Sequence, residues 1–352
     1  MHNKLWIADN AAAIVGGRNL GDEYFDAHTA VNFSDLDILA FGPAVRDIST
    51  SFDDYWNSYW ALPIEAFIAA PPGPNELANF ERELEKRQAS FRDTDYARAL
   101  RETRLGYLLR SGQLQLTPAS ATVLYDKPEK ISEVRSDESP NPVFAAHVRP
   151  LIEAAQHGVI LISPYFIPSD QGISMLGALV GRGVRVRVLT NSLASTDPAV
   201  VHAGYARLRP RLLAAGVELY EMRPDEQLAA RSWRIGASSG ASLHTKAILI
   251  GRRQVIVGSM NLDPRSRLYN TEIALLLESP QLGARLAVVF EQAVQPAHAF
   301  SVKFADTEPG QTKLVWITEE NGAQVRYDRE PAGLWRLFLS KLLGALTPED
   351  LL

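Results

Sequence analysis

Two stretches of the chain place the same reactive residue types at the same spacing. Residues 2–19 read His-x-Lys-x4-Asp-x6-Gly-Gly-x-Asn, and residues 244–261 repeat this frame, with Gly251 in the place of Asp9 and Gly-Ser for Gly-Gly. Each copy supplies a histidine, a lysine and an asparagine, and cationic and amide donors of this kind suit phosphoryl oxygens. Because duplicated halves usually build one symmetric object, the repeat predicts a single phosphate-handling site made from both copies.

Both histidines are expected on strands, where side chains two residues apart point to the same face. His2 therefore shares a face with Lys4, and His244 shares one with Lys246. Between lysine and asparagine the pattern predicts a hairpin, which returns the paired small residues and the asparagine of each copy beside the histidine. An imidazole can attack phosphorus as a nucleophile or act as a general acid near neutral pH, so there is one histidine for each role.

A histidine used in this way needs a carboxylate to fix its tautomer. Asp35 follows His2 by 33 residues, and Glu272 follows His244 by 28 residues at the start of a predicted strand. Each carboxylate is therefore a candidate for orienting a catalytic histidine. The full set of candidate catalytic residues is His2, Lys4, Asp9, Asn19, Asp35, His244, Lys246, Asn261 and Glu272.

The composition is that of an ordinary globular protein, with 46% hydrophobic and 22% charged residues. The length of 352 residues predicts two lobes. A net charge of −5 argues mildly against a nucleic-acid partner. The absence of cysteine excludes thiolate metal sites, and no histidine–carboxylate spacing predicts a metal site, so we expect no cofactor. No apolar run approaches the roughly 18–20 residues that span a bilayer.

The N-terminal part is expected to contain only the end of an α/β half. Its predicted elements are a hairpin over residues 5–8 and 13–15, a strand over 35–40 and a helix over 44–60. Prolines over 70–74 break regular structure, and residues 75–112 predict charge-rich helices with a solvated face. We divide the chain into the end of a first half over 1–70, a helical connector over 71–118, a second half over 119–300 and a C-terminal tail over 301–352.

From residue 121 onwards strands and helices alternate, which predicts a largely parallel sheet covered by helices. The predicted strands are 123–125, 159–162, 184–190, 217–220 and 272–277, with a hairpin over 247–250 and 255–257. The predicted helices are 142–156, 173–180 and 199–215.

Both repeated stretches resemble the HKD motifs of the phospholipase D superfamily. The segments that are similar to bacterial cardiolipin synthases, in particular to the C type, are 16–25, 33–37, 163–168, 190–195, 200–205 and 258–266. This resemblance implies an α/β phospholipase D fold with two pseudo-twofold-related halves, each a mixed, largely parallel sheet flanked by helices. Because the first motif begins at residue 2, we expect upstream sequence to have been lost, the first half to be incomplete and the sheet edge beside residues 2–8 to be unpaired. A natural start at Met1 is the alternative.

The resemblance also implies a metal-independent ping-pong reaction at the surface of a bacterial membrane. One histidine attacks a phospholipid phosphodiester and forms a phosphatidyl-histidine, while the other protonates the leaving head group and then deprotonates the acceptor. By analogy His2 is the nucleophile and His244 the acid/base, and the reverse assignment stays open. The implied substrates are phosphatidylglycerol and phosphatidylethanolamine, without nucleic acid. The alternatives are a hydrolytic phosphodiesterase and an inactive fragment that keeps the fold.

Several residues have both a functional and a structural interpretation. Gly251 is either a harmless turn substitution or a cause of impaired activity. Tyr165 and Phe166 follow a buried strand at the carboxyl end of a sheet, where ligands commonly bind. The apolar stretch 334–343 is either a membrane-interface helix or a helix packed on its own core. The candidate substrate-binding residues are Gly17, Tyr165, Phe166, His202 and Ser259.

Overall fold

The chain forms two compact units, residues 1–54 with 119–352 and residues 55–118. The computed structural model describes residues 1–25, 27–28, 31–68, 73–133, 143–196, 199–224, 240–305 and 313–346. The described strands are β1 (Leu5–Ala8), β2 (Ala12–Gly16), β3 (Val31–Ser34), β4 (Asp37–Phe41), β5 (Ser120–Tyr125), β6 (Gly158–Ile162), β7 (Arg185–Asn191), β8 (Glu218–Met222), β9 (Gly240–Leu243), β10 (Ala247–Ile250), β11 (Gln254–Gly258), β12 (Ile273–Glu278), β13 (Ala299–Phe304), β14 (Leu314–Glu320) and β15 (Ala323–Tyr327). The described α-helices are α1 (Ala44–Trp56), α2 (Glu76–Arg92), α3 (Asp95–Glu102), α4 (Arg104–Arg110), α5 (Lys130–Glu133), α6 (Val143–Glu153), α7 (Asp170–Gly181), α8 (Ala199–Ala214), α9 (Pro264–Leu268), α10 (Pro280–Ala293) and α11 (Leu334–Leu346).

Ten of these strands form one sheet in the order β15-β14-β13-β8-β7-β6-β10-β11-β12-β5. The sheet is mixed, as predicted, but the prediction that it is largely parallel was wrong. Only β6, β7 and β8 pair in parallel, and the other seven strand pairs of this sheet are antiparallel. Parallel pairing is confined to the centre because only there do helices, α7 and α8, make the crossovers between neighbouring strands. The predicted hairpin of β10 and β11 is present, and its tight turn requires antiparallel pairing.

Both faces of the central part of this sheet are buried, so β6, β10 and β11 read as nearly continuous apolar runs. Along β6, Val159 and Leu161 belong to one apolar cluster, and Ile160 and Ile162 belong to the other. Helices α6, α7 and α8 contribute to the first cluster. Helix α10, helix α1 and strand β2 contribute to the second. The N-terminal elements thus pack on the face of the large sheet opposite to α6–α8.

Strands β1, β2 and β4 form a small antiparallel sheet in that order. The predicted hairpin over residues 5–8 and 13–15 is its first pair. Among the described residues β1 pairs only with β2, so β1 is an edge strand. Strand β3 pairs in parallel with β9, which ends directly before His244. The N-terminal residues are therefore joined to the second motif by backbone pairing as well as by packing.

Neither candidate carboxylate lies inside a strand: Asp35 directly follows β3, and Glu272 directly precedes β12. The strand predicted over 35–40 begins at Asp37, and the strand predicted over 272–277 begins at Ile273. Leu36 N–H donates to Asp35 Oδ1 at 2.9 Å, and this local hydrogen bond competes with strand pairing. A side chain at a strand end is not confined to one sheet face, so it can turn towards a neighbouring element.

Helices α2, α3 and α4 occupy residues for which a helical connector was predicted. Thr94 and Thr103 cap α3 and α4 by accepting from backbone N–H groups of the first turn. No residue of α2 is buried, and apolar side chains such as Leu77 and Phe80 are exposed beside its charges. The surface of this unit is therefore less polar than the charge pattern predicted.

Helix α11 has two apolar faces with different surroundings. One packs against α8, and the other exposes Leu334, Trp335, Phe338 and Leu342. The packed face agrees with the interpretation as a helix packed on its own core, and the membrane-interface interpretation stays a prediction for the exposed face. None of the described helices combines the length and the apolar character needed to cross a bilayer.

Candidate active site

Each motif histidine pairs with a carboxylate that follows the other copy of the motif. His2 Nδ1 lies 2.9 Å from Glu272 Oε2, and His244 Nδ1 lies 2.7 Å from Asp35 Oδ2. Both carboxylate side chains are buried, at 2% and 0% exposure. A carboxylate that accepts from Nδ1–H fixes the tautomer and leaves Nε2 as the nitrogen that can act on a substrate. The sequence analysis named each carboxylate by its distance from the histidine of its own copy, whereas the structure pairs each carboxylate crosswise, with the histidine of the other copy.

The backbone hydrogen bonds of the two histidines are also made to the other copy of the motif. His2 N–H donates to Thr271 O at 3.0 Å, and His244 N–H donates to Ser34 O at 2.8 Å. In both cases the acceptor is the residue directly before the orienting carboxylate. One local geometry therefore occurs twice with the roles of the two copies interchanged, as expected for a pseudo-twofold site.

Each motif lysine donates a hydrogen bond to the backbone of the histidine in its own copy. Lys4 Nζ donates to His2 O at 2.8 Å, and Lys246 Nζ donates to His244 O at 2.6 Å. Burial lowers the pKa of Lys4 to about 8 and that of Lys246 to about 7, against partial opposition from both carboxylates. Each lysine is influenced by both carboxylates, so all four groups belong to one site. The described residues contain no group of histidine and carboxylate side chains suited to a metal ion.

The two histidines differ in their exposure to solvent. The His2 side chain is 28% exposed, and that of His244 is 11% exposed. Two aromatic rings pack against His244. The Tyr24 ring is edge-on to the imidazole with a centroid distance of 5.0 Å, and the Phe33 ring has a centroid distance of 5.4 Å. Burial lowers the pKa of His244, the hydrogen bond to its carboxylate opposes this, and the neighbouring lysine lowers the pKa further. The site is therefore symmetric in its hydrogen bonds but asymmetric in its electrostatic environment.

Ser259 and Gly17 occupy equivalent positions against the two carboxylates. Ser259 Oγ donates to Glu272 Oε2 and accepts from Ile273 N–H at 3.0 Å. A Cβ atom at Gly17 would lie 2.3 Å from Asp35 Oδ1, so the shorter carboxylate requires glycine there. The sequence predicted substrate contacts for both residues. In the structure both touch a carboxylate, and they set its position.

The two motif asparagines are in different environments. Asn19 is exposed, and its Nδ2 donates to Tyr24 Oη at 2.7 Å. Asn261 is only 6% exposed, and its Oδ1 has no hydrogen-bond partner among the described residues. Because a buried polar atom normally has a partner, the Asn261 amide is the one of the pair that is available to a ligand.

Asp9 and Gly251 both occupy hairpin turns at the far ends of β1 and β10. Their backbones adopt the left-handed conformation, with φ of 52° and 63°. Each lies five residues after its lysine, about 17 Å along an extended strand. Glycine adopts this conformation without strain, and aspartate tolerates it better than most residues. This geometry supports the turn interpretation of Gly251 and gives Asp9 the same turn position.

Asn191, at the end of β7, holds the strand that leads into the second histidine. Its Oδ1 accepts from Leu243 N–H at 2.9 Å, and its Nδ2 donates to Leu243 O at 2.8 Å. Ser195 Oγ also donates to Asn191 Oδ1 at 3.1 Å. The amide is 3% exposed and fixes the residue directly before His244. Asn191 lies in a segment that resembles cardiolipin synthases, but no local pattern indicates its contact with residue 243.

A buried ion pair supports Glu272 in a similar way. Asp126 N–H donates to Glu272 O at 2.9 Å, and Glu272 N–H donates to Asp126 Oδ2 at 3.0 Å. Lys130 Nζ donates to the same oxygen at 2.7 Å and to Asn270 O at 2.6 Å. Sequence reasoning missed both charged residues, because they lie about 140 positions before the backbone they hold.

The other predicted substrate-binding residues lie in packed surroundings. His202 Nε2 is 2.6 Å from Glu330 Oε1 and 2.6 Å from Arg209 Nη2, in a buried polar cluster beside α11. This arrangement supports the structural interpretation of His202. Phe166 is 2% exposed, and Tyr165 is partly buried against the same apolar cluster.

Comparison with known proteins agrees with this architecture. A family model described as "Cardiolipin synthase, PLD-like domain" matches residues 148–294. Over its whole length the chain is 34% identical to cardiolipin synthase C of Escherichia coli (strain K12), of which it covers 73%. Over 83% of its length it is 26% identical to cardiolipin synthase A of Pseudomonas putida, of which it covers 47%. The whole chain also matches the fold of a phosphatidylserine synthase from Haemophilus influenzae Rd KW20, with a TM-score of 0.57, 16% identity and 71% of that chain covered. The chain therefore belongs to the phospholipase D superfamily, in its cardiolipin synthase group.

Proposed function

We propose that this chain transfers a phosphatidyl group from one phospholipid to another through a phosphatidyl-histidine, as a cardiolipin synthase. The crosswise pairing carries this proposal. Two histidines, each held by a buried carboxylate, share one site with two lysines. Ping-pong transfer needs one group to carry the covalent intermediate and a second group to move protons, and the two histidines supply both. The names of the cardiolipin synthase relatives support phospholipid as the substrate class.

In the proposed first step, His2 Nε2 attacks the phosphorus of phosphatidylglycerol. A P–N bond forms, the P–O bond to the head group breaks, and His244 gives its proton to the departing glycerol. In the second step a hydroxyl of another phosphatidylglycerol gives its proton to His244 and attacks the same phosphorus. The P–N bond breaks, cardiolipin leaves and His2 is regenerated. Phosphatidylethanolamine is an alternative donor, and attack by water instead would yield phosphatidic acid.

The charges of the site suit this sequence of steps. Lys4 and Lys246 lie on the two sides of the site and suit the non-bridging phosphate oxygens. In the free protein, burial lowers the pKa of His244, which disfavours the protonated form that the first step needs. An anionic phosphodiester bound beside the ring raises the pKa of His244 again, because a nearby negative charge stabilises imidazolium. Substrate binding thus prepares His244 as the acid, and His2, the less buried of the two histidines, is the nucleophile.

A lipid assay tests the proposal directly. The chain is incubated with phosphatidylglycerol vesicles, with and without phosphatidylethanolamine, and the products are identified by mass spectrometry. We expect cardiolipin from the wild type, none from His2→Gln, and wild-type yield from His157→Gln, an exposed histidine outside the site. Phosphatidic acid as the main product would replace the transferase with a hydrolase, and the absence of any product would refute the proposal for this chain.

We also propose that the protein works at a bacterial membrane surface as a peripheral protein. The exposed face of α11 carries Leu334, Trp335 and Phe338, and the last two rings stack at 5.7 Å. Aromatic and aliphatic side chains on one helix face favour insertion into the headgroup region. Trp335→Ser with Phe338→Ser should reduce co-sedimentation with phosphatidylglycerol liposomes, whereas Val288→Ser, at an exposed site on α10, should not. Equal binding by both variants would exclude this face.

A further inference from the structure

An apolar cavity of about 310 Å³ opens beside the loop of residues 259–263 after β11, which is called the catalytic loop below. Its walls are α6, α7, the residues that follow β6 and the loop that follows β11. The apolar side chains that line it include Val148, Ile152, Leu161, Phe166, Met175 and Leu176. Its volume is at the lower end of the range of about 300–1,000 Å³ that is typical of small-molecule sites. Unfilled apolar space destabilises a folded domain, so a hydrocarbon occupant would be favourable here.

The loop after β11 connects this cavity to the catalytic centre. Ser259, at the start of the loop, donates to the catalytic Glu272. Asn261 lines the cavity, and two residues of chain span at most about 7 Å. Asp263 also lines the cavity, and its negative charge partly opposes the lowering of the Lys246 pKa by burial. The mouth of the cavity and the phosphate site are therefore neighbours.

Hydrogen bonds hold the wall between the cavity and the sheet. Leu262 N–H donates to Ser163 Oγ at 3.1 Å, and Ile167 N–H donates to Leu262 O at 2.8 Å. These bonds join the loop after β11 to the residues after β6, on both sides of Phe166. The wall is thus part of the folded framework that also carries the catalytic loop.

Asn261 is a polar residue in the lining of the cavity. Its side chain is 6% exposed, and its Oδ1 lacks a partner among the described residues. A buried amide end without a partner is the exception in folded proteins. Rotation of the amide can present either its oxygen or its NH2 group there. The cavity thus combines a mainly apolar lining with a buried amide oxygen, that of Asn261, in the loop after β11.

We propose that this cavity binds one fatty acyl chain of the phospholipid whose phosphate lies between the two histidines. The inference rests on the proposed function, because it takes the substrate to be a phospholipid. The Asn261 amide then meets the ester that joins the chain to glycerol, and the glycerol unit spans the short distance from the loop to the phosphate. The site selects for the hydrocarbon part of the substrate, whereas the HKD residues act on its phosphodiester.

A chain-length series tests the cavity without requiring turnover. The ligands are 1-acyl-glycerol 3-phosphates with butanoyl, hexanoyl and octanoyl chains, kept below their micellar concentrations and titrated calorimetrically. Each buried methylene strengthens binding by about fourfold, so each step of two methylenes should strengthen it by about fifteenfold until the cavity is full. Ala145→Phe fills the cavity from α6, and Ala146→Phe places the same ring on the exposed neighbouring position.

We expect Ala145→Phe to flatten the chain-length series and Ala146→Phe to leave it unchanged. Met175→Trp, which fills the cavity from α7, should repeat the effect of Ala145→Phe, and thermal melting verifies that each variant is folded. A flat series in the wild type, or a steep series that both filling variants retain, would overturn the proposal. A steep series that the filling variants flatten, in a protein that makes no cardiolipin, would support the cavity and refute the proposed transfer reaction.

Discussion

Glu272→Gln should disable His2, although the two residues belong to different copies of the motif. The carboxylate is 2% exposed and accepts from His2 Nδ1 at 2.9 Å. When Nε2 bonds to phosphorus, the imidazole gains a positive charge. Opposite charges about 4 Å apart attract by about 4 kcal/mol at an effective dielectric constant of about 20. Since each 1.36 kcal/mol is tenfold in rate, turnover should fall by about 10³-fold.

Asp35→Asn is the matched variant, because Asp35 holds His244. With phosphatidylglycerol both variants should lose cardiolipin synthesis. A phosphodiester with a nitrophenolate leaving group needs no protonation of that group, so it separates the nucleophile from the acid. With His2 as the nucleophile, Glu272→Gln should stay inactive on this substrate, and Asp35→Asn should release a burst of nitrophenolate that stopped-flow absorbance can follow.

The single variants His2→Ala and His244→Ala provide the reference behaviour. The crosswise reasoning requires Glu272→Gln to resemble His2→Ala, and Asp35→Asn to resemble His244→Ala, whichever histidine is the nucleophile. The opposite correspondence would refute it, because it would mean that each histidine is oriented from its own copy. Thermal melting of both variants verifies that loss of the carboxylate has not unfolded the site.

Three further perturbations follow from the same geometry. Lys4 and Lys246, with pKa values of about 8 and about 7, lose positive charge as the pH rises, so sulfate, whose own charge stays constant, should bind more weakly above about pH 9 than below about pH 6.5. Calorimetry should show that Lys246→Met removes part of this pH dependence, and an unchanged profile would place the lysine outside the anion site. Asn191→Ala leaves the N–H and C=O of Leu243 without partners, so urea titration should show a loss of about 2–4 kcal/mol in the free energy of unfolding, with a fall in kcat as His244 shifts; unchanged stability would show that the amide is dispensable. Gly251→Asp should cost about 1 kcal/mol in the same titration because of its positive φ, and Asp9→Gly should keep activity within about twofold; a tenfold loss in Asp9→Gly would give this turn residue a role in catalysis.

Local features of the fold followed directly from the sequence. The prediction that both histidines lie on strands was wrong: His2 and Lys4 precede β1, and His244 and Lys246 lie between β9 and β10, because the backbone of each histidine bonds to the other copy of the motif. Each lysine nevertheless lies close to its own histidine, as the short spacing predicted, and donates to its backbone oxygen. The hairpins between lysine and asparagine were also predictable, because turn and strand signals act over a few residues. Even the substitution at Gly251 has a local explanation in the conformation of one turn.

Contacts between distant segments were not predictable in the same way. The spacings of 33 and 28 residues relate each carboxylate to the histidine of its own copy, whereas the pairs that form are 270 and 209 residues apart. Asn191, Asp126 and Lys130 act on backbone groups far along the chain, and no periodicity indicates such contacts. Ser259 and His202, predicted as substrate-binding residues, instead bond to the carboxylates of Glu272 and Glu330, which lie further along the chain.

The sequence by itself determined which residues carry the chemistry, that they occur twice, and to which superfamily the chain belongs. Residue types and short-range spacing contain this information, since each motif folds as one hairpin. Only the tertiary structure decided which carboxylate serves which histidine, that His244 is more deeply buried than His2, and that an apolar cavity adjoins the Asn261 loop. The first two properties depend on how the two copies pack against each other, and the cavity depends on how α6 and α7 pack beside the loop after β11. Burial and distance across that packing set the pKa values and hydrogen bonds of the site.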